Sequence, residues 1–410
     1  MPDAVVCHSC GSSQMRAFLS LGKTPLADGL VRPERLGEPE PTYPLEVALC
    51  VECTLVQILE DVPEDVLFNA EYPYFSSFSD HVLEHSAAHA NALIARRGLT
   101  GDSFVVEIAS NDGYLLRNFV DAGVPCLGVE PTPGPAESAR RLGIETVQRF
   151  FGEQMAAELA AERGKADVII ANNVMAHVPQ LNDFVAGFAA LLADDGVITV
   201  ENPYVRDLID HCEFDTIYHE HFYYYSCTSV SNLMERHGLH LNDVEYFPDL
   251  HGGTLRWYIG KTLERSQRAQ RYLDDERASG LLEFGYYADF ADRVAGLRCD
   301  LRELITGLRE SGASIAAYGA AAKGSTLLNY AGIGVDELDF VVDRNVHKQG
   351  WFMPGVHLPI LAPDALLERQ PDYTLILAWN FATEIMTQQA DYRGRGGRFI
   401  VPVPTPRVVS

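Results

Sequence analysis

Four of the chain's eight cysteines stand as two Cys-x-x-Cys pairs, Cys7 with Cys10 and Cys50 with Cys53, and no other feature constrains its folding as strongly. A turn of this spacing aims both sulfurs at one point, and two such turns supply the four thiolates of a tetrahedral zinc site. The 39 residues between Cys10 and Cys50 must then fold back as a small subdomain that joins the pairs. The alternatives are plain reduced thiols or a redox pair. A redox pair would open a helix directly after a strand, and neither pair has that setting. With all four positions filled by protein, such a metal is structural and keeps no open site for chemistry. Cys126, Cys212, Cys227 and Cys299 are single.

Thiolate ligands suit a reducing compartment. The start, MPDAVVCHSC, shows neither a basic n-region nor an apolar h-region, and there is no run of about 18 apolar residues. The expectation is a soluble cytoplasmic protein. A length of 410 residues predicts two or three domains, each with its own core. The formal net charge of −25 excludes a nucleic-acid scaffold or a coat for anionic lipid, since both need a basic face. It leaves room for a small phosphorylated ligand, for which a few local cations suffice. No internal repeat or low-complexity segment is present.

Residues 104–114 read FVVEIASNDGY. The apolar run of Phe104, Val105, Val106 and Ile108 predicts a buried parallel strand, ending in loop chemistry. Leu115, Leu116, Phe119 and Val120 then follow at helical spacing. A second strand over 125–131 carries Glu130 at its carboxyl end, where nucleoside-binding α/β folds place an acid on the ribose hydroxyls. A third strand over 167–171 ends in Asn172 and Asn173, and a fourth over 196–200 ends in Glu201. Four strands alternating with helices predict a doubly wound sheet with a ligand along that edge. The loop has one glycine and no GxGxxG pyrophosphate cradle. Glu107, the Asn-Asp-Gly turn and Glu130 suit a ligand with a ribose, no phosphate and a cationic centre, and S-adenosylmethionine fits. The segment looks like motifs I to IV of class I methyltransferases, with Ser110 standing for the common glycine of ExGxxxG.

Residues 214–226, FDTIYHEHFYYYS, carry the densest cluster of functional groups. HEHFY is not the HExxH of a zinc protease, and no second set of metal ligands has a fitting spacing. A catalytic cluster, a metal site and an ordinary polar loop are the readings open to it. A neutral His beside a carboxylate works as a general base near neutral pH, and the segment follows the fourth strand over the cofactor edge.

With CxxC…CxxC, EIASNDG and YHEHF in that order, the chain resembles the sugar C-methyltransferases of deoxysugar and antibiotic biosynthesis, which act on thymidine-diphosphate-linked 4-keto-6-deoxyhexoses. EYPYFSS over 71–77, His251-Gly252-Gly253 with Arg256, and YGAAAKGS over 318–325 extend the resemblance along the whole chain. It implies an α/β protein with a small N-terminal zinc-binding domain (1–70), a central class I, Rossmann-like methyltransferase domain (71–300) and a C-terminal Rossmann-like α/β domain (301–410). The four paired cysteines would bind zinc. Glu107, Ser110, Asn111, Asp112, Gly113, Glu130, Phe150, Phe151, Asn172 and Asn173 would hold S-adenosylmethionine. Tyr218, Glu220 and His221 occupy the family's catalytic cluster, and Tyr74, Ser76 and Ser77 would line the sugar pocket. Members thought to methylate C3 often read YDEHF, whereas His219 stands here, so C3 and C5 both stay open.

The partner implied is a dTDP-linked keto-deoxysugar, with no nucleic acid and no membrane, and the chain would act as a monomer or small homo-oligomer. In the C-terminal part, residues 314–330 read as strand, small-residue turn and helix, where backbone N–H groups approach a phosphate and Lys323 adds a cation. The alternative is a packed strand–helix turn. The expectation is nucleotide-sugar binding by Lys323, Ser325 and Asn329, with Lys348 and Arg256 as further cations. Carbon methylation beside a ketone needs a base for the α-proton, a donor to the enolate oxygen and an in-line methyl. His221 is expected as the base, oriented or tuned by Glu220, with Tyr218 as the donor. An O- or N-methyltransferase would share the cofactor domain, and a non-enzymatic zinc scaffold would keep only the cysteines.

Overall fold

The computed structural model describes residues 5–60, 62, 67, 76–78 and 80–410, so Tyr74 lies outside the described residues. Among them three sheets form. The first is antiparallel: β1 (Met15–Thr24), β2 (Tyr43–Cys50) and β3 (Val56–Ile58). Strand β2 ends on Cys50, so the sheet itself delivers the second cysteine pair to the first.

The central sheet begins with five parallel strands: β4 (Val105–Ile108), β5 (Cys126–Val129), β6 (Thr146–Val147), β7 (Ala166–Asn172) and β8 (Leu192–Pro203). Helices cover both faces of a parallel sheet, so β4 is buried at every position and the strands read as near-continuous apolar runs. Strand β9 (Tyr223–Tyr224) leaves this sheet and pairs with β3. β10 (His240–Phe247) and β11 (Thr254–Gly260) return antiparallel, giving the order β10-β11-β8-β7-β4-β5-β6. The four expected strands are β4, β5, β7 and β8. Two-residue β6 and the returning hairpin were not anticipated. The order reverses between β4 and β7, and the loops leaving their carboxyl ends open the crevice where α/β sheets bind ligands. The helix after β4 is only Arg117–Asp121. Leu115, Leu116 and Phe119 are buried as expected, but Val120 faces solvent because the loop takes the first turn of the predicted helix.

The third sheet contains β12 (Ile315–Tyr318), β13 (Val341–Val342), β14 (Ile360–Leu361), β15 (Tyr373–Ile376), β16 (Arg398–Val401) and β17 (Arg407–Val409). Its order is β14-β13-β12-β15-β16-β17, parallel except for β17. The chain is thus an α/β protein with a cysteine-bearing N-terminal region and Rossmann-like units. The charged connector folds as helices Gln267–Ser279 and Phe290–Glu310. The second buries Phe290, Val294, Leu297, Leu301 and Ile305, one stripe at helical spacing, and runs straight through the boundary expected at residue 300. No helix of the described residues is long and apolar enough to cross a membrane.

Candidate active site

The four paired cysteines meet. Their sulfurs all lie within 4.8 Å of one another, with Cys7 and Cys53 at 3.4 Å and Cys10 and Cys50 at 3.6 Å. A disulfide would bring sulfurs to about 2.05 Å. Four thiolates around a zinc ion at about 2.3 Å stand roughly 3.8 Å apart, and the observed cluster fits that geometry. Each pair is a knuckle closed by one backbone bond, Gly11 N–H to Cys7 O and Thr54 N–H to Cys50 O, with Gly11 and Thr54 both left-handed. The knuckles dock on the central unit. Asn182 Nδ2 donates to His8 O and Ser9 O, and Asn232 Nδ2 donates to Cys53 O.

The loop after β4 is shaped by its second-strand neighbour. Glu130 accepts from the backbone N–H of Asn111 (3.0 Å) and of Thr132 (2.8 Å), fixing its carboxylate at the carboxyl end of β5. Ala109, Asn111 and Gly113 all have positive φ, at 52°, 49° and 82°. One expectation is corrected here: the residue standing where ExGxxxG has its glycine is Ala109, in the left-handed region, and not Ser110. Ser110 instead fits its side chain against Gly128, where any Cβ would collide with it. Four side-chain atoms around this loop are buried without a hydrogen-bond partner: Glu107 Oε2, Ser110 Oγ, Asp112 Oδ1 and Asn172 Oδ1. Such orphaned acceptors cost free energy unless a ligand meets them, and a ligand with an ammonium and hydroxyls would. Burial first, then Asp112, Glu130 and Glu201, pushes the Glu107 carboxyl well above its ordinary range. S-adenosylmethionine fits this donor-poor, acidic pocket.

Other expected cofactor and sugar residues divide. Phe150 is exposed, while the half-buried Phe151 packs its ring against Phe184 and Phe188. Asn173 has positive φ and gives its N–H to Glu201 O. Ser76 and Ser77 touch the cofactor loop, their backbone N–H groups donating to Asn111 Oδ1 and Asp112 Oδ2.

The YHEHF segment lies along the same edge: Phe222 N–H donates to Ala176 O and Tyr225 Oη to Met175 O, both in the loop after β7. Within it, His221 Nδ1 donates to the Thr216 carbonyl at 2.9 Å, which leaves Nε2 as the acceptor for Tyr218 Oη at 2.8 Å. Burial, then His177, Lys323 and His251, holds His221 well below the ordinary imidazole value, so the ring is neutral. The His177 ring packs edge-on at 4.6 Å. Glu220 is corrected: its carboxyl meets the backbone N–H of Asp28 (3.2 Å), not His221, and the group that orients the imidazole is the Thr216 carbonyl. His219 is also spent elsewhere, with Nε2 on Pro44 O and its ring against Tyr43, holding the zinc-binding region in place.

The expected basic pocket is the largest departure. Arg256 is buried and pairs with Glu201 (2.5 Å) and Glu245 (3.2 Å), so it serves an internal network. Burial works to raise Glu201, but Arg256, His85 and His89 together bring it down to about 2. Asn329 spends its amide on Ser325 O and Pro354 O. Ser325 Oγ is buried. Lys323 lies over the Trp379 ring at 4.7 Å, with Asp215 and Glu213 as its acidic neighbours. Gly319 and Gly324 owe their place to packing, since a Cβ on either would press on Ala378 or Leu377. The N–H of Ala320 is already given to Asp343 (2.7 Å), so the turn is no open phosphate cradle. Glu213, Asp28 and His177 escaped sequence reading because they have no motif, and Asp215 stood in the 214–226 segment without an assigned role. His81, His85 and His89 at fourfold spacing were a readable stripe on the helix Asp80–Arg97.

Comparison with known proteins agrees with this geometry. A zinc binding domain profile matches residues 7–68, a methyltransferase domain profile residues 81–244, and a C-methyltransferase C-terminal domain profile residues 249–404. The C-methyltransferase NovU of Streptomyces niveus is 38% identical over 407 residues, spanning 98% of this chain and 96% of that protein. A ubiquinone biosynthesis O-methyltransferase of Pasteurella multocida is 31% identical over 114 residues, 25% of this chain and 46% of that protein. Magnesium protoporphyrin IX methyltransferase from Synechocystis PCC 6803 covers 44% of this chain and 79% of its own at 14% identity, with a TM-score of 0.35. The near end-to-end match to a C-methyltransferase, with all three profiles in the expected order, shows that this chain belongs to the sugar C-methyltransferase family, enzymes that use S-adenosylmethionine and carry zinc.

Proposed function

We propose that the protein methylates the carbon beside the ketone of a dTDP-linked 4-keto-6-deoxyhexose, at C3 or C5, through an enolate, in deoxysugar biosynthesis. The observation that carries this reading is the Tyr218–His221 pair, neutral, half-buried and held at the edge of the cofactor crevice. Bound S-adenosylmethionine supplies an electrophilic methyl group; Glu107, Asp112 and Glu130 would hold it. When a ketone oxygen enters, Tyr218 turns its O–H from His221 Nε2 to that oxygen. The exchange frees the Nε2 lone pair for the α-proton. Burial disfavours an isolated imidazolium, but here it forms beside an enolate of opposite charge, so proton transfer creates an ion pair. Each proton-transfer role supplies on the order of 10²–10⁴ in rate, and alignment of carbanion and methyl supplies much of the rest.

Lys323, half-buried against the Trp379 ring, is the cation we assign to the nucleotide sugar. Lys323→Ala should raise KM for the sugar and leave cofactor binding unchanged; an equal loss of both would remove the assignment. The whole reading is tested with a panel of dTDP-4-keto-6-deoxy sugars in deuterated solvent. A new C–CH₃ group with loss of one ring proton supports it, and a methyl found on oxygen or nitrogen overturns it.

A further inference from the structure

Glu220 is held from outside its own domain. The turn after β1 brings Asp28 against it, and the Asp28 backbone N–H donates to Glu220 Oε1. Glu220 is 2% exposed, and its Oε2 is buried without a partner. Among the described residues no cation pairs with it. The cation behind Asp28 is Lys348, whose Nζ donates to Ala320 O at 2.7 Å. Next to it Asp343 accepts the N–H groups of Ala320 and Asn345. The cluster thus holds three carboxyls, on Asp28, Glu220 and Asp343, against one lysine. On the other side stand Tyr224, itself buried, and His177, bonded to the Glu220 backbone. Neither offers a charge to neutralise a carboxylate.

We propose that Asp28, from the zinc-binding region, is a positioning residue that keeps the Glu220 carboxyl protonated, so that Glu220 enters the sugar site as a hydrogen-bond donor through Oε2–H. Burial raises the Asp28 carboxyl too, but Lys348 offsets that there, whereas among the described residues no cation stands beside Glu220. Two adjacent carboxyls cannot both ionise cheaply out of water. The deeper one retains its proton. In accord with that, burial and then Asp28 push Glu220 up to about 8. The inference rests on Glu220 belonging to the catalytic cluster, and it gives the N-terminal region a chemical role besides its metal.

The test needs no substrate. Infrared spectra of the zinc-loaded protein, wild type minus Glu220→Gln, isolate the C=O stretch of the protonated Glu220 carboxyl during a pH titration. The band should persist at neutral pH and fade near pH 8. In Asp28→Asn its midpoint should move acid-ward by about one pH unit, a tenfold loss of proton affinity. Asp28→Ser keeps the backbone donor and repeats the measurement if the amide packs badly. No band at neutral pH, or a midpoint unmoved in both variants, overturns the proposal. Because the readout is the carboxyl itself, failure of the sugar panel and failure of this titration are separate results.

Discussion

Tyr218 Oη stands 2.8 Å from His221 Nε2, with the two rings stacked at 4.0 Å between centroids. Because the Thr216 carbonyl can only accept, it fixes the tautomer: the proton is on Nδ1, and the basic nitrogen looks at the phenol. A loop read from its letters as His plus carboxylate is therefore a His plus phenol pair. Tyr218→Phe should lower solvent exchange at the sugar α-carbon and methyl transfer together by about 10²–10⁴. S-adenosylmethionine affinity should stay unchanged by calorimetry. Exchange at the wild-type rate would remove Tyr218 from the mechanism, and the same result in His221→Ala would reject His221 as base.

Glu130 organises the cofactor loop before any ligand arrives, by accepting the N–H of Asn111. In Glu130→Ala the loop loses that acceptor, and on the proposed reading a bound ribose would lose its partner. Cofactor affinity should fall by about 1.5–3 kcal/mol, the worth of a hydrogen bond to a charged group. Titration with S-adenosylhomocysteine should show a similar loss, since the nucleoside is shared.

Zinc is coupled to the catalytic loop through β9, which pairs with β3 directly after His221 and Phe222. Small zinc-bound domains derive about 10–16 kcal/mol of apparent folding energy from the metal. Chelation should release zinc with four thiols and abolish methyl transfer, while the central sheet still binds cofactor. Full activity in the metal-free protein would show that the loop stands without its anchor.

Arg256→Met should be costly for stability. It leaves Glu201 buried without its cation, beside His85 and His89. Loss of one partner of a buried pair costs about 3–5 kcal/mol. Denaturant unfolding measures this, and a change confined to KM for the sugar would return Arg256 to the substrate pocket.

Glu213 gives a pH signature. Burial, against the pull of Lys323, raises its carboxyl from an ordinary 4.5 to about 8. The folded state therefore keeps a proton that the unfolded chain has released between those values. Its contribution is complete below pH 4.5 and is lost as pH rises towards 8, at up to ~1.4 kcal/mol per pH unit. Glu213→Gln should flatten that part of the decline in urea titrations across the window. A slope as steep as in the wild type would mean that Glu213 is already ionised.

What the sequence by itself determined is what depends on local spacing. The CxxC pairs announced a metal, because two sulfurs three residues apart can turn to one point. The runs around Val105, Leu127, Ile169 and Ile198 announced parallel strands, because strands covered on both faces must be apolar throughout. Glu107 and Glu130 were readable because they end such strands. Tertiary structure decided which neighbour each polar group meets. Glu220 and His221 are adjacent in sequence, yet one faces Asp28 across 192 positions and the other faces Thr216 and Tyr218. Arg256 looked like a free cation until Glu201 and Glu245 folded against it. A buried charge must find a partner somewhere in the chain, and composition fixes only that partners exist.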